Sequence, residues 1–241
     1  MTEPPGGPPA AVLLDVGGIF LLPDHGRIVS AYRRAEIEVA ADLLDHAHYR
    51  AAAEFSVDVD VDADWRGSWQ RYLDAYVAAC GVPAARRDDA HQHLDSEFAD
   101  AALWSTVVES ARLGLAALAS TGVALGIISN ADGMMDARLR EAEILQVGPG
   151  GGIEVGCLID SGSVGVMKPD PRIFELGLTA LDIAAADTWY LGDMPAFDVV
   201  GARRAGIRPF LMDPLDLHLE QDYDRVGSLL ELADRIRGGN A

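Results

Sequence analysis

The chain has 241 residues, 49% of them hydrophobic, and its 38 acidic against 19 basic side chains give a net charge of -19. That length and apolar content suit one sizeable core with a smaller accessory domain and exclude a disordered chain. The negative balance excludes a nucleic-acid surface or an anionic membrane as partner, so an anionic substrate would need a local patch of positive charge.

Met1 to Pro9 is rich in proline and glycine, carries no basic residue, and reads as a disordered tail over residues 1–9 rather than a signal peptide. No segment reaches membrane-spanning length. The cysteines, Cys80 and Cys157, lack metal-ligand spacing and read as small buried hydrophobes, which fits a reducing, cytoplasmic location. Ala11 to Leu14 is an apolar run that ends in Asp15, followed by Gly17 and Gly18. It reads as a buried parallel strand with an acid at its carboxyl end, because an unpaired carboxylate inside such a strand would be very costly. Ile19 to Pro23 continues apolar and reads as a short hairpin or flap. The period then becomes helical: Ile28, Tyr32, Ala35, Val39 and Leu43, then Trp69, Tyr72, Leu73, Tyr76, Val77 and Cys80, with a third helix opened by Pro83 and running towards Phe98. Residues 23–103 therefore read as a helical domain inserted into the chain, with an aromatic stripe for its core.

Two tempting metal patterns in this insert are set aside. Asp58, Asp60, Asp62 and Asp64 alternate like a calcium loop, but Ala63 and Trp69 stand where the required glycine and glutamate would be, so a solvated acidic loop is expected. His46, His48, His91 and His93 fall two apart in pairs, on different faces of a helix, and are expected at the surface.

After the insert, helices and strands alternate. A helix over Val108, Ala111, Leu115 and Leu118 precedes a strand from Val123 to Ile128 that stops at Ser129-Asn130. A helix over Asp136 to Ala142 follows, then the glycine-rich loop Gly148 to Gly152, which lacks the lysine of a phosphate-binding loop. Next come a short strand from Cys157 to Ile159 and the run Lys168-Pro169-Asp170-Pro171, whose Asp170 and Pro171 cap and open a helix. A strand from Thr188 to Leu191 ends in Gly192-Asp193. A helix bearing Asp198, a strand from Ile207 to Met212 and a last helix around Val226 to Ile236 complete the chain. This rhythm specifies an α/β fold with a doubly wound parallel sheet, in which ligands sit beyond the carboxyl ends of the strands, here marked by Asp15, Ser129 and Asp193. Lys168 is the single lysine among 19 basic residues. A position that keeps an ammonium where arginine serves everywhere else points to a compact charge beside a carboxylate and a phosphate.

Asp15, Ser129-Asn130, Lys168-Pro169-Asp170-Pro171 and Gly192-Asp193 with Asp198, in this order from about Val12 to Met212, resemble the four motifs of the haloacid dehalogenase superfamily of hydrolases. The resemblance implies a Rossmann-like core over residues 10–22 and 104–241, with residues 23–103 as the small helical cap domain that selects substrates. It implies Asp15 as the nucleophile that forms an aspartyl-phosphate, Ser129 and the Asn130 backbone N–H as holders of the phosphoryl oxygens, and Lys168 as the charge between Asp15 and phosphate. It also implies Mg2+ held by Asp15, the Gly17 carbonyl and Asp193, with Asp198 less direct. Charge argues for the metal too, since one lysine cannot balance three carboxylates beside a phosphate dianion.

One position departs from the family's phosphatases: Gly17 stands where a second aspartate usually acts as general acid and base. Asp-x-Gly-Gly at this place resembles sugar-phosphatase branches, including those acting on glucose 1-phosphate, and favours easy leaving groups. His25, near the flap, is weighed as a substitute acid, but a surface histidine is the expected role. The implied function is a Mg2+-dependent phosphatase of a small organic phosphate. A non-enzymatic phosphometabolite-binding protein and a 2-haloacid dehalogenase stand as alternatives; Gly17, Asp193 and Asp198 point away from the dehalogenase. Which of Tyr32, Arg33, Arg34 and Tyr49 would meet substrate is not set by the sequence, nor is the oligomeric state.

Overall fold

Every side chain of Ala11–Leu14 is buried, and this run forms β1, the strand on which the larger part of the molecule is built. The computed structural model describes residues 7–57 and 69–238. In chain order β1 is followed by β2 (Leu21–Pro23), α1 (His25–Arg34), α2 (Leu44–Ser56), α3 (Trp69–Ala79), α4 (Arg87–Phe98), β3 (Trp104–Val107), α5 (Ala111–Ala119), β4 (Ala124–Ser129), α6 (Met135–Glu141), β5 (Leu145–Val147), β6 (Ile153–Val155), β7 (Cys157–Asp160), α7 (Ser161–Val164), α8 (Pro171–Leu181), β8 (Thr188–Gly192), α9 (Asp198–Arg204), β9 (Arg208–Met212), β10 (Asp224–Val226) and α10 (Leu229–Gly238). The chain divides into two compact units, Met1–Phe20 with Val108–Ala241, and Leu21–Val107.

The first unit holds a six-stranded sheet in the order β10-β9-β8-β1-β4-β7, parallel throughout, so the expected doubly wound α/β architecture is present. A strand covered on both faces takes apolar residues at every position, which is why β1 carries no polar residue until it ends. Leu13, Ile128 and Tyr190 from the sheet meet Ile173 and Phe174 of α8 and Ala202 of α9 in one core cluster. α5 and α10 pack on each other, and β5 and β6 form a separate parallel pair. The sixth strand, β10, is absent from the sequence reading because Asp224-Arg225-Val226 has no apolar run. Its polar side chains are engaged instead: Asp224 binds Arg208 at 2.8 Å and Arg225 binds Asp213 at 2.9 Å. Pro9, at the end of the expected tail, is buried; residues 1–6 lie outside the described residues.

The second unit packs α2 on α3 and α4 on both α1 and α3, with β2 and β3 paired antiparallel. Of the helix expected from Ile28 to Leu43, only residues 28–34 are α-helical, in α1, and α2 begins after Leu43. α1 ends where Glu36 turns left-handed at φ 54°, with the Ile37 N–H reaching the Tyr32 carbonyl at 2.9 Å and the Glu36 N–H reaching Arg33 at 3.0 Å. This six-to-one bond is a Schellman ending, which the apolar spacing of Ala35 and Val39 concealed. The aromatic stripe is core as expected: Trp69 stacks on Tyr72 at 4.5 Å between centroids, and Tyr72, Tyr76 and Phe55 are buried. His48 corrects the surface reading of the histidines. It is 1% exposed, its Nδ1 lies 2.8 Å from the Tyr72 hydroxyl, and the helix face that holds it is the one α2 turns to α3. The Asp58–Asp64 stretch lies outside the described residues. No described helix is long and apolar enough to cross a membrane.

Candidate active site

β1 hands the chain to Asp15 while still bonded to its neighbour, the Asp15 N–H donating to the Leu191 carbonyl of β8 at 2.8 Å. β8 ends two residues before Met194 and delivers Asp193, and β4, on the other side of β1, ends in Ser129. Asp15, Ser129 and Asp193 thus stand at the carboxyl ends of three adjacent strands, and all three are buried. The turn after Asp15 needs a glycine at its third residue. Gly18 has φ 65°, and a Cβ there would sit 2.5 Å from the Asp193 Cγ, so only glycine lets Asp193 approach this turn. Asp198 opens α9 and turns back on the β8 loop, its Oδ2 accepting from the Met194 N–H at 2.9 Å.

Lys168 reaches this group from the segment before α8. The Asn130 side chain brackets its backbone: Oδ1 accepts from the Lys168 N–H at 2.8 Å and Nδ2 donates to the Lys168 carbonyl at 3.1 Å. The ammonium, on a residue 2% exposed, lies 2.8 Å from Asp15 Oδ1, 2.8 Å from Asp198 Oδ1 and 3.0 Å from the Tyr190 hydroxyl. An ammonium has three N–H donors, and these three acceptors match them. Tyr190 in turn donates to Asp198 Oδ1 at 2.9 Å. Of the residues singled out from sequence, Asp15, Lys168, Asp193 and Asp198 converge, Ser129 ends the adjacent strand, Gly17 lies half-buried in the turn, and Asn130 directs its side chain at the Lys168 backbone. His25 is engaged elsewhere, its Nε2 lying 2.8 Å from Asp45 Oδ1 in the second unit.

Residues 10–206 match the family model of haloacid dehalogenase-like hydrolases. The chain belongs to this family. It is 30% identical over 235 residues to a phosphoserine phosphatase of Thermus thermophilus, covering 92% of this chain and 90% of that protein. It is 30% identical over 152 residues to the haloacid dehalogenase-like hydrolase domain-containing protein 3 of Mus musculus, covering 61% of this chain and 57% of that one. Among solved structures, a HAD-superfamily hydrolase of Ehrlichia chaffeensis shares the fold, with a TM-score of 0.57 at 15% identity over 96% of this chain and 98% of its own.

In this haloacid dehalogenase-like hydrolase the site carries three carboxylates against one ammonium. Burial pushes the Asp15 carboxyl up to about 7; Lys168 draws it back, while Asp198 and Asp193 push it further. Burial works against the Lys168 ammonium, but Asp15 and Asp198 outweigh it and hold its pKa above the ordinary lysine value. Burial, then Asp198 and Asp15, put the Tyr190 phenol well above its usual range, so it stays a neutral donor. The donor set fits a hard divalent cation. One oxygen each of Asp15, Asp193 and Asp198 lies within 4.8 Å of the others, and an octahedral Mg2+ with ligands at about 2.0–2.1 Å places opposite ligands about 4.2 Å apart. Both oxygens of Asp198 already accept hydrogen bonds.

Two residues of the site region were missed in the sequence. Tyr190 lies inside an apolar strand, where a buried hydroxyl demands a partner. Asp160 follows an apolar run as Asp15 does, and that shared pattern was the available signal.

Proposed function

We propose that this hydrolase is a Mg2+-dependent phosphatase of a small organic phosphate, acting through an aspartyl-phosphate on Asp15. The observation that carries this reading is the buried Asp15–Lys168 pair at 2.8 Å, set among Asp193 and Asp198 at the mouths of the central strands. The similarity to a phosphoserine phosphatase over most of both chains supports phosphoryl chemistry.

Asp15 attacks phosphorus through a carboxylate oxygen as the bond to the leaving oxygen breaks, and water then cleaves the acyl phosphate to release inorganic phosphate and restore Asp15. Lys168 steadies Asp15 as the anion and offers its charge to the incoming dianion, while Asp198 and Tyr190 hold the ammonium in place. The Ser129 hydroxyl and the Asn130 backbone N–H donate to the equatorial phosphoryl oxygens. Asp15, the Gly17 carbonyl and Asp193, with Asp198 less direct, would hold Mg2+, which would supply charge neutralisation at the phosphoryl group. The unit Leu21–Val107 serves as the cap domain that selects the substrate, and the two free, buried cysteines suit a reducing cytoplasmic compartment.

Gly17 narrows the substrate. Without a second aspartate the leaving oxygen departs with little help, so acidic leaving groups, such as the anomeric oxygen of a sugar 1-phosphate, outrun simple alkyl esters. The left-handed angle in this turn belongs to Gly18, so Gly17→Asp is a fair test. Restoring the acid should raise turnover on poor leaving groups most, by up to ~10²–10⁴-fold. The test measures kcat over sugar phosphates, phosphoserine, aryl and acyl phosphates, with and without Mg2+, for wild type, Gly17→Asp and Asp15→Asn. Activity surviving in Asp15→Asn would move the nucleophile elsewhere, and rates indifferent to leaving-group pKa with chemistry limiting would remove the role given to Gly17.

A further inference from the structure

The end of β7, beside Ser129 of β4, carries a carboxylate that the reaction above does not use. Asp160 pairs with Ser129 in the parallel register and is 3% exposed. Both its oxygens accept backbone N–H groups: Oδ1 from Gly162 and from Gly133, each at 2.9 Å, and Oδ2 from Met135 at 3.1 Å. The bond to Gly162 is local and caps α7. The other two cross 27 and 25 residues of sequence to the loop that leaves Ser129. That loop opens α6, whose own N-cap, Met134, supplies no side-chain bond, so the cap comes from Asp160.

The next residue adds a second hold on the same loop. Ser161 Oγ accepts from the Ala131 N–H at 3.0 Å and donates to the Ala131 carbonyl at 3.1 Å. The two segments touch closely: a Cβ on Gly162 would lie 2.5 Å from the Asp132 carbonyl carbon. Between this anchored loop and Ser129 stands Asn130, whose carboxamide brackets the Lys168 backbone. A continuous set of bonds therefore runs from β7 through residues 131–135 to Asn130, and from Asn130 to Lys168.

We propose that Asp160, assisted by Ser161, is a positioning residue that fixes the Ser129-Asn130 turn and, through the Asn130 carboxamide, the Lys168 backbone. What the turn binds rests on the phosphatase reading; the relay to Lys168 does not. A carboxylate suits this task because its two oxygens take three N–H donors at once and hold them more strongly than a neutral acceptor would. Asparagine in its place keeps the volume but leaves one oxygen for the three donors.

Because Lys168 is the single lysine, protein grown with heavy-nitrogen lysine gives one labelled backbone amide, and that amide is the donor to Asn130. In Asp160→Asn the Lys168 amide signal should move and its exchange with solvent quicken by at least roughly tenfold, as its local opening becomes easier. The turnover of p-nitrophenyl phosphate should fall and the Kd for inorganic phosphate should rise, by roughly 10–10²-fold, the range expected for displacement of positioned groups. Mg2+ affinity should be retained, since Asp15 and Asp193 are untouched. Ser161→Ala, a milder change, should move the Lys168 amide in the same direction and covers the case in which Asp160→Asn does not fold. A Lys168 amide unchanged in shift and exchange in the folded variants overturns the relay, even if thermal stability drops. Wild-type protein without turnover or phosphate binding overturns the phosphatase reading, and the amide signal then still decides the relay.

Discussion

Lys168 illustrates how far a single side chain is fixed by its surroundings. Its ammonium meets three acceptors, Asp15, Asp198 and Tyr190, converging on one nitrogen inside a site with almost no solvent access. A guanidinium spreads its donors over a plane and is bulkier than this space. Lys168→Arg is therefore expected to lose most of its turnover, roughly 10²-fold or more, although the charge is kept; steady-state kinetics with Mg2+ saturating checks this, and wild-type kinetics would show that the positive charge alone suffices at this position. Asp15, with its pKa pushed up to about 7 by burial, carries a pH prediction. Between the unfolded carboxyl value near 4 and this raised value, the folded metal-free protein holds a proton that the unfolded chain has released. The stability Asp15 contributes is thus complete at low pH and is lost as pH rises through 7. If Asp15 is a Mg2+ ligand, as proposed, the ion displaces that proton, so its affinity should climb as pH rises through 7, with proton release visible as a buffer-dependent heat in titration calorimetry. A Mg2+ affinity flat across this range would show that Asp15 is already ionised.

At the level of elements, helix endings decide the shape of the second unit more than periodicity does. α1 starts on Asp24, whose Oδ1 accepts from the Arg27 N–H at 2.8 Å, and stops at a left-handed Glu36. A residue with a Cβ is strained in that conformation, glycine is not, and Glu36 is exposed. Glu36→Gly should accordingly raise unfolding stability by about 0.5–1 kcal/mol, the left-handed penalty less the added freedom of the unfolded chain. Urea denaturation followed by circular dichroism measures it, and a fall in stability would mean that the glutamate makes a compensating contact. The same logic of endings explains what could be read beforehand and what could not. Asp170 and Pro171 announced α8, and Asp170 does cap it, accepting from the Arg172 N–H at 3.0 Å. The helix expected over Asp136 to Ala142 is present as α6, but its cap could not be read locally, since Asp160 lies 25 residues further along the chain than the N–H it accepts.

For the molecule as a whole, the net charge of -19 sets a background of self-repulsion. Salt screens it over a Debye length of about 10 Å at 0.1 M, so the melting temperature should rise with NaCl. MgCl2 at the same ionic strength should raise it further by binding the buried carboxylates of the folded state, a linkage effect that unfolded chain does not share. Asp193→Asn should remove the extra Mg2+ increment and keep the NaCl response. Thermal scans of the two proteins in matched salts test this, and equal increments in both would place the Mg2+ effect on the surface rather than at Asp15 and Asp193.

Much of this protein is written locally in its sequence. Apolar runs ending in acids marked β1 and β8, alternating periods marked the doubly wound sheet, and the order of Asp15, Ser129, Lys168 and Asp193 marked the family, because strand burial and turn chemistry act over a few residues. What packing alone decided are bonds between residues remote in sequence. The Asn130 carboxamide finds a backbone 38 residues away, and Tyr190 and Asp198 meet Lys168 across 22 and 30 residues. His48 is drawn inside by Tyr72, and β10 is a strand because β9 offers it an edge and its charges find partners. A residue's type restricts which bonds it can make. Only the tertiary structure decides which partner comes within reach, since each such bond depends on where the sheet and its helices bring two distant segments together.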